Sequence, residues 1–85
     1  MSAEADGRWF VYIIRAGDDS LYTGITTDLE RRLKQHQTGK VGAKYFRGRQ
    51  ACEFVYMESG HNRSSASIRE AQIKKMTRQQ KDLLL

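Results

Sequence analysis

Five polar side chains fall on stretches of this sequence that should otherwise be buried: Tyr12, Tyr22, Arg32, His36 and Glu70. They combine groups that can transfer protons with a guanidinium that can bind an anion. Burying a charged group costs several kcal/mol unless it is paired. The set therefore needs partners within itself, in water or in a bound ligand. The alternative to a ligand site is an Arg32–Glu70 ion pair, with the tyrosines as amphipathic rings of the core.

The two tyrosines lie on what we predict to be a β-hairpin. Trp9–Arg15 is β-branched and aromatic without polar alternation, which indicates a central strand buried on both faces. Residues 16–20 are turn formers, and Leu21–Ile25 is predicted as the second strand. A loop of five residues would place Tyr12 and Tyr22 on the same face, whereas an even loop would separate them.

Arg32 and His36 fall on the predicted first helix. They share one stripe with Leu29 and Leu33, so we expect them to face the sheet while Arg31 and Lys34 face solvent. The helix is predicted to end near residue 37. Its start fits either a capping box formed by residues 27 and 30 or a cap at residue 28.

Glu70 falls on the predicted second helix. A third strand is predicted over Cys52–Glu58, followed by a loop that holds a solvent-facing His61 and then by a helix over residues 65–76. Ala66, Glu70 and Ile73 form one stripe of that helix, so Glu70 is expected on its inward side. A short helix is predicted within residues 77–85.

Length and composition indicate one small domain over residues 9–85, with a flexible lead at 1–8 that does not resemble a signal peptide. A single cysteine, Cys52, excludes an internal disulfide and suits a reducing cytoplasm. No apolar run approaches a membrane span. The elements predict an α+β fold, with a three-stranded antiparallel sheet flanked by helices in the order ββαβα.

Positive charge is concentrated in the middle of the chain. The net charge is +5, and residues 31–50 contain seven basic residues and no acidic one. Such a block indicates a polyanionic partner, most often nucleic acid, although a solvated basic surface is the alternative. The residues predicted to contact phosphates are Lys40, Lys44, Arg47, Arg49 and Lys74.

The ordered set of motifs resembles the GIY-YIG nuclease family over nearly all of residues 9–81. The first tripeptide stands as Val11-Tyr12-Ile13 and the second as Tyr22-Thr23-Gly24. The arginine of the family matches Arg32, a histidine four residues later matches His36, and the glutamate of the later helix matches Glu70. The run from residue 42 to 59 is similar to the small stand-alone YhbQ-like branch and to the nuclease domain of structure-specific endonucleases.

The resemblance implies phosphodiester hydrolysis with one divalent ion, Mg²⁺ or Mn²⁺, held by Glu70. Arg32 would bind the scissile phosphate, and a tyrosine, Tyr22 in preference to Tyr12, would help to deprotonate the attacking water. His36 would be a proton shuttle or a phosphate contact. We therefore expect a DNA endonuclease that acts on DNA structure rather than sequence, with a role in repair or recombination.

Two other functions are open at this point. Many family members have a lysine where Ile25-Thr26 stand here, and an asparagine beyond the glutamate helix that this sequence lacks. Those differences favour a non-catalytic nucleic-acid-binding module. A subunit that is active only with a protein partner is the other alternative, and an exposed apolar patch at Leu83–Leu85 would support it.

Overall fold

The computed structural model describes residues 7–38 and 51–85. The predicted α+β architecture and element order are confirmed, with one short helix after the second long one. The elements are β1 (Trp9–Ala16), β2 (Leu21–Thr26), α1 (Leu29–Thr38), β3 (Ala51–His61), α2 (Arg63–Lys74) and α3 (Arg78–Asp82).

The sheet is antiparallel with the strand order β2-β1-β3, so β1 is the central strand as predicted. The four residues from Val11 to Ile14 are all 0% exposed. Both faces of β1 are covered, which explains why its sequence lacks the polar alternation of a half-exposed strand.

The hairpin between β1 and β2 has the five-residue connection that the sequence indicates. Arg15 pairs with Leu21, so residues 16–20 lie beyond the last β1–β2 pair, while Ala16 still belongs to β1 through its pairing with Ala51 of β3. Within it the Asp18 carboxylate accepts a hydrogen bond from the backbone N–H of Ser20 at 3.1 Å. This use of aspartate is typical of turns.

A helix covers each face of the sheet. On one face, Leu29 and Leu33 of α1 pack against a buried group that includes Tyr12, Ile14 and Ala16. On the other face, α2 packs through Ala66 and Ile73 against Val11 and Ile13. The alternating side chains of β1 thus point to two different helices.

The first helix begins later than the predicted capping box would place it. Its N-cap is Asp28, whose carboxylate accepts from the backbone N–H of Arg31 at 3.0 Å. The Thr26 hydroxyl in turn accepts from the backbone N–H of Asp28 at 3.1 Å. The predicted box between Thr27 and Glu30 is therefore wrong, and the alternative cap at Asp28 is correct.

The boundary between β3 and α2 also differs from the prediction. β3 continues to His61 instead of ending at Glu58, and α2 spans residues 63–74 rather than 65–76. The reason is a cap at Asn62: its side chain accepts from the Ser65 N–H at 2.8 Å, and the Ser65 hydroxyl accepts from the Asn62 N–H at 3.1 Å. Ser65 completes this capping box from within the helix.

The last helix, α3, contacts the turn of the β1–β2 hairpin. Arg78 of α3 donates to the backbone carbonyl of Asp19 at 2.7 Å. Leu84 packs against the buried group between the sheet and α2, which we call the α2-side core: Val11, Ile13, Ala66 and Ile73. Leu83 is 87% exposed and Leu85 is 51% exposed. None of the helices within the described ranges has the length and apolar character needed to cross a membrane.

Candidate functional site

Tyr12 is the point on which the α1 side chains converge. It lies on the central strand, and its phenol oxygen is 3.0 Å from Nε2 of His36. Arg32 donates from Nε to the same oxygen at 3.4 Å. Tyr12 is 0% and His36 2% exposed, so the contact is buried. The two helix residues that looked out of place in an apolar stripe therefore meet one atom of the sheet.

Burial sets the protonation of this contact. Desolvation raises the pKa of Tyr12 to about 12, even though the hydrogen bond from Arg32 acts in the opposite direction. Desolvation, with the positive charge of Arg32 as a second cause, lowers the pKa of His36 to about 4. At neutral pH, Tyr12 is a phenol and His36 is a neutral imidazole.

Tyr22 completes the group on this face. It lies two residues from Gly24, the β2 partner of Tyr12, and so it shares a face with Tyr12. Its ring meets the His36 ring edge-on, with centroids 5.2 Å apart, and lies 6.4 Å from the Tyr12 ring. We call Tyr12, Tyr22, Arg32 and His36 the tyrosine–histidine cluster. Tyr22 is only half-buried, so it forms the more accessible side of the cluster.

Gly24 makes room for the Tyr12 ring. A Cβ at this position would lie 2.4 Å from the Tyr12 oxygen and 2.6 Å from the carbon that bears it. No real side chain fits at that distance. The glycine of the second tripeptide is thus required by the tyrosine of the first, a link between the motifs that sequence reasoning did not find.

Glu70 is connected to the cluster through Lys74. Its side chain is 23% exposed, on the α2 stripe whose other members, Ala66 and Ile73, are 0% exposed. The Glu70 carboxylate lies 3.4 Å from Nζ of Lys74, and that Nζ lies 6.0 Å from the centroid of the Tyr22 ring. The negative charge of Glu70 also contributes to raising the pKa of Tyr12. Glu70 therefore acts on the cluster through space.

The described contacts do not include the alternative Arg32–Glu70 ion pair. Arg32 donates to Tyr12 and, at 3.1 Å, to the side-chain carbonyl of Gln35. The described contact of Glu70 is with Lys74.

The donor set fits a divalent ion that keeps most of its water. Within residues 7–38 and 51–85, no three His, Cys, Asp or Glu side chains are grouped so that they could hold a metal. Mg²⁺ is commonly held by one or two carboxylates together with substrate phosphates and waters. The single half-buried carboxylate of Glu70 is compatible with that kind of site and not with a cage made only of side chains.

Of the basic residues predicted to contact phosphates, only Lys74 can be placed. Its side chain is 52% exposed, next to Tyr22 and Glu70. The other four lie outside the described residues, and their contacts stay a prediction: Lys40, Lys44, Arg47 and Arg49.

A second polar cluster lies between β3 and α2, and sequence reasoning missed it. The Glu58 carboxylate accepts from Tyr56, from Nε2 of His61 at 2.8 Å and from Nε of Arg69 at 2.9 Å. Burial alone would raise the pKa of Glu58, but these hydrogen bonds together hold it below its usual range. We call Tyr56, Glu58, His61 and Arg69 the Glu58 cluster.

The expectation that His61 faces solvent from a loop is wrong. His61 ends β3, its side chain is 19% exposed, and Nδ1 lies 3.0 Å from the Ser65 hydroxyl. The imidazole thereby joins Glu58 to the capping box of α2. One signal was present in the sequence: Tyr56 and Glu58 are two residues apart on a strand and so share a face.

Comparison with known proteins identifies the family. The model of the GIY-YIG catalytic domain matches residues 8–82. The UPF0213 protein YhbQ of Escherichia coli is 48% identical over 77 residues, which cover 91% of this chain and 76% of that protein. The UPF0213 protein HQ_3675A of Haloquadratum walsbyi is 49% identical over 75 residues, covering 88% and 83%.

A solved structure shows the same fold. The solution NMR structure of the UPF0213 protein BH0048 from Bacillus halodurans aligns with a TM-score of 0.56 at 41% identity. The alignment covers 89% of this chain and 80% of that one.

Proposed function

The chain belongs to the GIY-YIG family of nuclease catalytic domains, and from this premise we propose that it is a metal-dependent DNA endonuclease. The observation that carries the proposal is the convergence of Arg32 and His36 on the buried phenol oxygen of Tyr12. A group of this kind, beside a carboxylate on a neighbouring helix, suits hydrolysis at a phosphate.

Arg32 is proposed to bind the scissile phosphate. Its contacts with Tyr12 and Gln35 orient the guanidinium, and it is half-buried, so water screens its charge only in part. A guanidinium matches the geometry of phosphate oxygens and stabilises the negative charge that builds up on them during the reaction.

Water is proposed to attack the phosphorus while the bond from phosphorus to the leaving sugar oxygen breaks. We assign the Tyr22 oxygen to accept the proton of the attacking water while the phenol passes its own proton to solvent, and solvent to protonate the leaving oxygen. Tyr22 is the half-buried tyrosine, whereas Tyr12 has its pKa raised to about 12 and is fully covered. Tyr12 then orients His36, whose ring packs edge-on against Tyr22 and which is proposed as a proton shuttle or a phosphate contact.

Glu70 is proposed to hold one Mg²⁺ or Mn²⁺. When bound, such an ion supplies positive charge to the phosphate oxygens and to the leaving oxygen. The partial burial of the Glu70 carboxylate supports this role, because water screens its negative charge only in part.

Branched or flapped DNA of the kind met in repair and recombination is the proposed substrate. The basic block of residues 31–50 supports this, since lysine and arginine contacts to phosphates hold a backbone without reading bases.

Two alternatives have specific support. Ile25-Thr26 in place of the common lysine favours a module that binds nucleic acid without cutting it. The exposed Leu83 and Leu85 favour a subunit that needs a protein partner.

A nicking assay tests the proposal. Supercoiled plasmid and branched or flapped duplexes would be incubated with Mg²⁺, with Mn²⁺ or with EDTA, using the wild type, Glu70→Gln and Arg32→Gln. Glu53→Gln and Arg15→Gln are the matched controls, because that exposed pair lies elsewhere on the sheet. We expect metal-dependent cleavage that both site variants lose and both controls keep. Binding without cleavage under every condition would overturn the nuclease in favour of a binding module.

A further inference from the structure

A groove lies where β2 joins α1, directly beside the tyrosine–histidine cluster. It has a volume of about 200 Å³. Its polar and aromatic lining is made by Trp9, Thr26, Thr27, Arg31, Arg32 and Gln35. The proposed mechanism uses only Arg32 and its partner Gln35 among these residues, so most of the groove has no assigned role.

The lining has the chemistry of a single-strand binding site. The residues that line the groove carry two guanidinium groups, two hydroxyls, one amide and one indole, with the apolar Ile25, and none of the described lining residues is acidic. Proteins that hold single-stranded nucleic acid combine positive groups for the backbone with aromatic rings on which bases stack. Trp9 is half-buried, its ring held by the α2-side core and by the Arg63 guanidinium at 5.9 Å from its centroid.

Arg32 belongs to both sites. It lines the groove, and it donates to the Tyr12 oxygen at the centre of the cluster. A strand whose scissile phosphate lies on Arg32 would therefore have its next nucleotide at the groove. The exposed Arg31 is the positive group available for the following phosphate.

The size of the groove limits what it can hold. Typical small-molecule pockets measure roughly 300–1,000 Å³. A groove of about 200 Å³ is smaller and suits one planar base rather than a base pair.

We propose that this groove is a subsite for one unpaired nucleotide next to the scissile phosphate, with its base against Trp9 and its phosphate on Arg31. The inference rests on the nucleic-acid binding of the proposed function and narrows its substrate to DNA with a single-stranded segment at the cut, such as a flap or a gap.

Tryptophan fluorescence provides a direct test, because Trp9 is the one tryptophan of the chain. The wild-type protein would be titrated in EDTA with a short single-stranded deoxyoligonucleotide and with an abasic strand of the same length. We expect the base-containing strand to quench Trp9 and the abasic strand to bind with much weaker quenching. Equal quenching by the two strands would overturn the subsite, since phosphates alone would then account for it.

Two pairs of variants separate the base from the phosphate. Stacking of one base is worth a factor of about 5 to 150 in affinity. Trp9→Leu should therefore lower the affinity for the base-containing strand by that factor and leave the affinity for the abasic strand unchanged. Trp9→Phe, the control, should retain most of the affinity. Arg31→Gln should weaken both strands more than Lys34→Gln, a matched loss of charge on the same helix outside the groove. Affinities of Trp9→Leu and Arg31→Gln equal to those of their control variants would contradict the proposal.

Failure of the subsite and failure of the nuclease are distinguishable. The fluorescence titration needs neither metal nor cleavage. Base-dependent quenching without cleavage would support the subsite and reject the nuclease. Metal-dependent cleavage without base-dependent quenching would support the nuclease and reject the subsite.

Discussion

Within residues 7–38 and 51–85, two clusters of similar composition lie on opposite sides of the sheet. In each, a tyrosine, a histidine and an arginine come together. In the tyrosine–histidine cluster the arginine and the histidine converge on the phenol of Tyr12, and in the Glu58 cluster they converge on the carboxylate of Glu58. The two clusters differ mainly in the charge of the group at the centre.

That difference indicates different roles. The lowered pKa of Glu58 keeps its carboxylate ionised, and the positive charge of Arg69 balances it. This ion pair connects α2 to β3. Tyr12 is a neutral phenol with a raised pKa. The described side chains of its cluster carry no negative charge, and under the proposed function a substrate phosphate supplies one. We infer that the Glu58 cluster stabilises the fold and that the tyrosine–histidine cluster serves the reaction.

The largest effect on the tyrosine–histidine cluster is expected from Gly24→Ala. The new Cβ would meet the Tyr12 oxygen at 2.4 Å, so the ring or β2 must move. We expect the free energy of unfolding to fall by about 3 kcal/mol, measured by urea denaturation. A double-mutant cycle with Tyr12→Val is the control, because without the ring the alanine has room. An equal loss in both backgrounds would show that Gly24 is needed for some other reason.

In the Glu58 cluster, Glu58→Ala should be the most damaging change. It leaves the Arg69 guanidinium, the His61 imidazole and the Tyr56 hydroxyl without their shared acceptor, at a cost of about 2 kcal/mol. The matched control is Glu53→Ala on the same strand. Its pair with Arg15 is more than half-exposed on the glutamate side, so we expect a loss below about 1 kcal/mol. Similar denaturation midpoints for the two variants would argue against a structural role for the Glu58 cluster.

The pH dependence of stability should report on His36. Its pKa is lowered from 6.5 to about 4 in the folded protein, so the unfolded chain binds more protons between these values. The contribution of His36 is thus complete above the unfolded pKa and is lost as the pH falls toward 4.

Thermal melts of the wild type and His36→Gln across this pH range would measure that loss. We expect the variant to lose less stability on acidification than the wild type. NMR titration of the His36 ring should give a midpoint near 4. A midpoint at the ordinary value for histidine would contradict the buried, neutral ring.

A smaller effect is expected at the start of α1, which carries Arg32 and His36. Asp28→Ala removes the cap that accepts from the Arg31 N–H and should cost about 1 kcal/mol. Asp28→Asn retains an acceptor and serves as the control, with stability close to the wild type in denaturant melts. Thr27→Ala should have no comparable effect, and a larger loss from it would restore the capping box that the structure rejects.

Much of the fold could be predicted because the relevant signals are local. The unbroken apolar run from Trp9 to Ile14 identifies a strand covered on both faces, and the loop of five residues sets the parity that places Tyr12 and Tyr22 together. The periodicity of the first helix also placed His36 inward, where it is 2% exposed. The roles assigned to these residues stay predictions.

The rest depends on contacts between distant elements. Glu58 of β3 meets Arg69 of α2, a contact between elements that hydrophobic periodicity does not reveal. The register of β3 also shifts against β1 at several points, and such shifts leave no mark in the periodicity. The fit of the Tyr12 ring over Gly24 is likewise visible only after the strands are paired. The start of α2 was misplaced because two residues, Asn62 and Ser65, are both good caps and only the backbone decides between them.

The most direct test compares the same substitution in the two clusters, Arg32→Gln and Arg69→Gln, with melting temperature and metal-dependent cleavage measured on each protein. We predict that Arg32→Gln loses cleavage by about 100-fold or more with little change in melting temperature. Arg69→Gln should melt at a clearly lower temperature and keep most of its activity at a temperature where it is folded. Loss of cleavage in folded Arg69→Gln, with Arg32→Gln as active as the wild type, would contradict the assignment of the reaction to the tyrosine–histidine cluster.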